Sequence, residues 1–210
     1  MAKATDDKPA WLRPHGSPWR DHGGRVVFDN PWIRLTEHEA TAPTGAPATY
    51  GKVHFKNVAI AILPLHEDGT VTIVGQHRFS LADYQWEIPE GGGPHAEPPL
   101  DAAQRELREE TGLEASDWRE VLWMQLSNSV TDERGVGFIA TGLTHVGDAP
   151  DETEVLAIER PPFREVLDAA LAGHVVDVMT VAMLLRAYQM AQEGELPQEL
   201  ARRMLGGGSG

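Results

Sequence analysis

The stretch from Gly91 to Leu113 constrains this chain more than any other part of it. It begins Gly91-Gly92-Gly93-Pro94-His95-Ala96-Glu97-Pro98-Pro99, a glycine- and proline-rich run that reads as a loop over 89–99. It continues Leu100-Asp101-Ala102-Ala103-Gln104-Arg105-Glu106-Leu107-Arg108-Glu109-Glu110-Thr111, which predicts a helix over 100–111, stopped at Gly112, where a left-handed cap is easiest for glycine. At about 100° per residue, Leu100, Ala103 and Leu107 form an apolar stripe, and Glu106, Glu109 and Glu110 share the adjacent face. Like charges at that spacing cost about 0.2–0.5 kcal/mol per pair, so the face calls for a compensating cation. Arg105 and Arg108 would serve if the face is simply solvated. Hard oxygen donors grouped this way also suit Mg²⁺ or Mn²⁺, which keep several waters and bridge a substrate phosphate.

Strand patterns surround this segment. Val58 to Leu63 is apolar on both faces and predicts a central strand, turned by His66-Glu67-Asp68-Gly69 into a second strand, 71–76, as a buried hairpin. Upstream, 25–28 and 32–38 alternate partially around an Asp29-Asn30-Pro31 turn, and 50–55 adds a third strand. Further strands are expected at 121–126, 137–140 and 154–158. A helix follows Pro161-Pro162 to about Ala172, and another covers 177–192 with Val178, Val181, Ala182, Leu185 and Tyr188 on its apolar face. The organisation expected is an arm over 1–24, a strand-rich segment over 25–57, a main domain over 58–205 and a flexible glycine-rich tail over 206–210.

Composition removes several function classes. No apolar run approaches the roughly 20 residues of a membrane helix, so no membrane partner is expected. Eighteen Lys and Arg against 32 Asp and Glu leave a net charge of −14 with no basic patch, which argues against a nucleic-acid partner. The absence of cysteine excludes disulfides, thiolate metal sites and a cysteine nucleophile. With a polar start that lacks a secretory signal, a cytoplasmic location is the default expectation.

Written as a template, the central segment is G-x5-E-x7-R-E-U-x-E-E-x-G-U, with U apolar, filled by Gly91, Glu97, Arg105, Glu106, Leu107, Glu109, Glu110, Gly112 and Leu113. This resembles the Nudix box, the signature of the Nudix hydrolases. Outside the box, Val74-Gly75-Gln76-His77-Arg78 and Trp86-Glu87-Ile88-Pro89-Glu90-Gly91-Gly92 look like segments of the ADP-ribose pyrophosphatase and nucleotide-sugar branch. Residues 127–133 and the acidic 151–154 look like two of its loops, although Asn128 and Glu90 replace that branch's usual proline and alanine.

The resemblance implies an α/β fold, an α/β/α sandwich around a mixed sheet, with the N-terminal β-rich segment building a homodimer. It implies metal-dependent hydrolysis of the pyrophosphate of a nucleoside diphosphate sugar. Position by position, Glu106 and Glu110 become metal ligands, Glu109 a direct or water-mediated one, and Glu90 a backbone-carbonyl ligand. Arg105 pairs with Glu97 to hold the loop on the helix, and Gly91 allows close backbone approach. Arg78 becomes a pyrophosphate clamp, and Glu87 and Trp32 become further substrate contacts, Trp32 either stacking a base or filling an interface. Glu152 is the candidate general base and Glu133 the runner-up, which otherwise contacts the sugar. Two alternatives stand beside this reading: a nucleotide-sugar sensor of the same fold, and a hydrolase of nucleoside triphosphates or capped RNA.

Overall fold

The computed structural model describes residues 9–147 and 156–206, which divide into two compact units. Glu152, residues 1–8 of the arm, the start of the strand expected at 154, and the tail from 207 lie outside the described residues.

One unit comprises the chain up to Lys56 together with 127–132. Its strands β1 (Arg20–Asp29), β2 (Ile33–Thr41) and β3 (Pro47–Phe55) form an antiparallel sheet in that order. The turn between β1 and β2 is set by Asn30, whose side-chain oxygen accepts the N–H groups of Trp32 and Ile33 at 2.9 and 2.7 Å. The strand begins at Arg20, inside the stretch expected to be an arm, where Arg20 and Asp21 pair with Thr41 and Ala40 across a bulge that the local sequence does not announce. Asp132 ties 127–132 to this sheet, accepting Phe55 N–H at 3.1 Å and facing His54 Nδ1 at 2.8 Å.

The other unit holds two sheets and four helices. Strands β7 (Glu90–Pro94), β4 (Asn57–Pro64), β9 (Arg134–His145) and β8 (Leu113–Gln125) form a mixed sheet in that order, with β4 and β9 parallel. Strands β10 (Ala157–Glu159), β5 (Ile73–Arg78) and β6 (Asp83–Glu87) form the second sheet. Alternation along β4 accounts for the layering. Ile60 and Ile62 pack with Ala102, Ala103 and Leu107 of α1 (Pro99–Thr111), whereas Ala61 and Leu63 join a core supplied by α2 (Phe163–Leu171), α3 (Val178–Gln192) and α4 (Gln198–Met204). Leu107 is fully buried, and its truncation to alanine should cost about 2–5 kcal/mol.

Several sequence expectations change. The turn at 66–69 forms and brings Leu65 opposite Val71, but the hairpin of 58–63 with 71–76 goes no further, because both edges of β4 are taken by β7 and β9, leaving β5 to pair in the other sheet. The expected loop at 89–99 contains β7, a strand of three glycines and low propensity that is imposed by its pairing with β4. On α1, Leu100 is exposed and Ala102 is buried instead, and on α3 the buried face carries Met179, Met183, Leu184, Ala187 and Met190 while Val178 and Leu185 face solvent. On α1 the expected Ala103 and Leu107 are buried and only Leu100 is displaced, whereas α3 has enough apolar residues for two stripes, so spacing alone did not choose between them there. Among the described residues no helix is long and apolar enough to cross a membrane.

Candidate active site

Helix α1 starts on Pro98-Pro99, where the missing proline N–H costs nothing, and ends on Gly112 at φ 65°, its N–H returning to the Arg108 carbonyl at 2.9 Å. Strand β7 runs beneath it. The contact is close: a Cβ at Gly91 would lie 2.1 Å from the Glu106 carboxyl carbon, so only glycine leaves that carboxylate where it is. Glu106 is thus half-buried against bare backbone, and burial pushes its carboxyl pKa up while Arg105 opposes the shift.

The three α1 glutamates do not meet as one group. Arg105 Nη1 donates to Glu106 Oε1 at 2.7 Å and to Glu109 Oε2 at 3.1 Å, drawing these two together. Glu110, buried, is held separately by β7, its Oε2 accepting the Glu90 backbone N–H at 3.1 Å. Arg105 Nη2 also donates to the Gly92 carbonyl at 3.2 Å and lies 3.6 Å from Glu97 Oε2, so the expected loop-to-helix tie is present in a wider network.

Glu90, expected to matter through its backbone alone, brings its side chain into an acidic group. Carboxylate oxygens of Glu87, Glu90 and Asp177 all lie within 4.8 Å of one another, the one trio of this kind among the described residues. Burial first, then the Asp177 carboxyl and Glu87, drive the Glu90 pKa well above its ordinary value. Asp177 also caps α3, accepting Thr180 N–H at 2.7 Å, and Thr180 Oγ1 accepts Ile88 N–H at 3.1 Å. Sequence reasoning missed Asp177 and Thr180 in this setting. The available signal was an aspartate at a helix start, which reads as an ordinary cap.

Arg78 is committed rather than free. It forks onto Glu87, with Nε 3.2 Å from Oε2 and Nη2 against Oε1, while Gln76 donates to the same Oε1 at 2.9 Å. Burial pulls the guanidinium pKa down, but Glu87, then Glu90 and Glu110, push it above the usual value. Glu87 is 3% exposed, and its pKa is raised by burial against the opposing pull of Arg78. Glu133 is half-buried next to β9, with its pKa raised by burial. Trp32 is 65% exposed in the other unit. Glu87, Glu90, Arg78 and Glu110 are therefore brought together, as are Glu97, Arg105, Glu106, Glu109 and Gly91.

A family model for the NUDIX domain matches residues 55–180. The ADP-ribose pyrophosphatase of Mycobacterium tuberculosis is 32% identical over 170 residues, covering 79% of this chain and 81% of that protein. A CMP-5'-(N-acetyl-N-hydroxy-3-aminopropyl)phosphonate hydrolase of Streptomyces rubellomurinus is 27% identical over 167 residues, 80% of this chain and 81% of its own. The crystal structure of an ADP compounds hydrolase has the same fold, with a TM-score of 0.75 at 18% identity over 85% of this chain and 97% of its own. The family model spans the loop, the helix and the acidic trio, and the mycobacterial relative matches most of both chains, so this chain belongs to the NUDIX family of hydrolases, in its ADP-ribose pyrophosphatase branch.

Proposed function

We propose that the chain hydrolyses the pyrophosphate bond of a nucleoside diphosphate sugar, ADP-ribose foremost, to a nucleoside monophosphate and a sugar phosphate. The observation that carries this reading is the carboxylate-bearing helix α1 closed onto the glycine backbone of β7, in a chain 32% identical to an ADP-ribose pyrophosphatase. Glu106, Glu109 and Glu110, with Glu90, are the residues that would hold Mg²⁺ or Mn²⁺. The donor set fits, being hard oxygens only, the carboxylates of α1 and the Glu90 backbone carbonyl, with the Glu106 carboxylate in a cradle that a Cβ at Gly91 would fill. A bound divalent cation supplies charge neutralisation of the pyrophosphate oxygens and a lowered pKa for water.

The protein's own groups do the rest. Water adds to one phosphorus, the bridging oxygen leaves with the second phosphate, and a loop carboxylate takes the proton, with Glu152 as the base and Glu133 as the alternative. Arg78 is the candidate phosphate clamp, held ready by Glu87, since a guanidinium binds phosphate oxygens in a bidentate fork. Val26, Val27 and Phe28 on β1, with Trp32 in the turn that follows, leave apolar surface on this unit, which supports a homodimer formed through it. A panel of nucleotide sugars assayed for released monophosphate, with Mg²⁺ and with Mn²⁺, tests the reading. Release of inorganic phosphate or diphosphate from nucleoside triphosphates, with nucleotide sugars untouched, would refute it.

A further inference from the structure

Arg105 makes more contacts than a fixed tie between loop and helix requires. Its Nη1 serves Glu106 at 2.7 Å and Glu109 at 3.1 Å, and its Nη2 serves the Gly92 carbonyl at 3.2 Å with Glu97 at 3.6 Å. One side of the guanidinium thus faces two of the carboxylates assigned above to the cation, and the other faces the loop. A divalent ion and Nη1 cannot both approach the same two carboxylate oxygens without confronting each other, and burial of Glu106 strengthens that conflict. Arg105 also lines an open cleft of about 700 Å³ between α1 and β8, together with Gln104, Arg108, Glu109, Glu114 and Trp118, so the guanidinium has room to move on its solvent side.

Resting on the metal reading, we propose that Arg105 is an exchangeable counter-ion: it neutralises Glu106 and Glu109 when no cation is bound, yields them when one arrives, and stays tethered by Glu97 and the Gly92 carbonyl. Arg105 is then a positioning residue, and Glu97 acts through it by giving the guanidinium a partner once it has been displaced. The coupling is reciprocal, since whatever strengthens the hold of Arg105 on Glu106 and Glu109 weakens cation binding by the same factor. A rigid architectural pair predicts the opposite sign, because losing Arg105 would loosen the loop and weaken the site.

The test is calorimetric titration of Mn²⁺ into the full chain without substrate, alongside thermal melts of the metal-free protein. Arg105→Met should bind Mn²⁺ about three- to tenfold more tightly than the unmodified chain and melt at a lower temperature without metal. Glu97→Gln should bind several-fold more weakly, and that loss should vanish when both substitutions are combined, because Glu97 acts only through Arg105. Weaker binding by Arg105→Met, or a Glu97→Gln loss that persists in full in the double variant, overturns the proposal and leaves the metal reading intact. Failure of the unmodified chain to bind Mn²⁺ removes both. If Arg105→Met does not fold, Arg105→Gln is measured with the same expected signs.

Discussion

Glu110 Oε2 accepts the backbone N–H of Glu90 at 3.1 Å, a bond that spans twenty residues and fixes helix α1 to the start of strand β7. The carboxylate is buried, so the bond forms where water competes poorly, on the backbone of the residue whose own carboxyl meets Glu87 and Asp177. One residue thereby belongs both to the scaffold and to the proposed metal site.

Glu110→Gln separates those roles. The amide keeps an oxygen for the Glu90 N–H and keeps the volume, so the melting temperature should stay within a few degrees. Loss of the charge should lower kcat by about 10²–10³-fold. Steady-state rates and melts on the same preparation check this, and near-full activity would remove Glu110 from the metal site.

Gly91→Ala tests the close approach. The added Cβ would lie 2.1 Å from the Glu106 carboxyl carbon, the far end of a flexible side chain that can swing away at little cost to folding. Stability should therefore change little while activity falls by at least about tenfold, since about 1 Å of misplacement at a reacting centre is that costly. A large loss of stability with normal kcat would contradict this.

Stability without metal should depend on pH in a definite direction. The Glu90 carboxyl has its folded pKa well above the ordinary 4.5, from burial first and then from Asp177 and Glu87. In the range between those values the folded chain holds a proton that the unfolded chain has lost, so stability falls as pH rises from 4.5 through the raised pKa. Melts in a chelator should show that decline, and Glu90→Gln should flatten it. An unchanged slope in the variant would show that other groups are responsible.

How much of this was legible beforehand varied with the kind of signal. The central strand β4, helix α1 and its stop at Gly112 follow from local pattern, because apolar period and a left-handed cap are properties of neighbouring residues. β7 was hidden because three glycines carry no strand preference, and only the facing β4 makes them a strand. Leu113 to Glu120 of β8 was hidden by Glu114, Asp117, Arg119 and Glu120, which point to solvent along an otherwise regular ladder. At the site, Glu106, Glu109 and Glu110 were found by spacing, but their separation by Arg105 and the Glu90 N–H was not. Asp177 is distant in sequence, and only the packing of α3 brings it to Glu90.

Two glutamates compete for the role of base, and their variants should differ in kind. Glu152→Gln should lower kcat with little change in KM and flatten the acid limb of the pH profile, whereas Glu133→Gln should raise KM more. The reverse pattern in pH-resolved kinetics would transfer the role to Glu133, whose burial already raises its pKa.

The central claim is tested most directly by side-by-side kcat/KM for ADP-ribose, a GDP-sugar, a UDP-sugar and ATP, with Mg²⁺ and with Mn²⁺, following the released monophosphate. At least one nucleotide sugar should exceed ATP by about tenfold or more and release a nucleoside monophosphate with a sugar phosphate, and a chelator should abolish the rate. Preferred hydrolysis of ATP, or turnover of nucleotide sugars that persists undiminished in the chelator, would contradict the account.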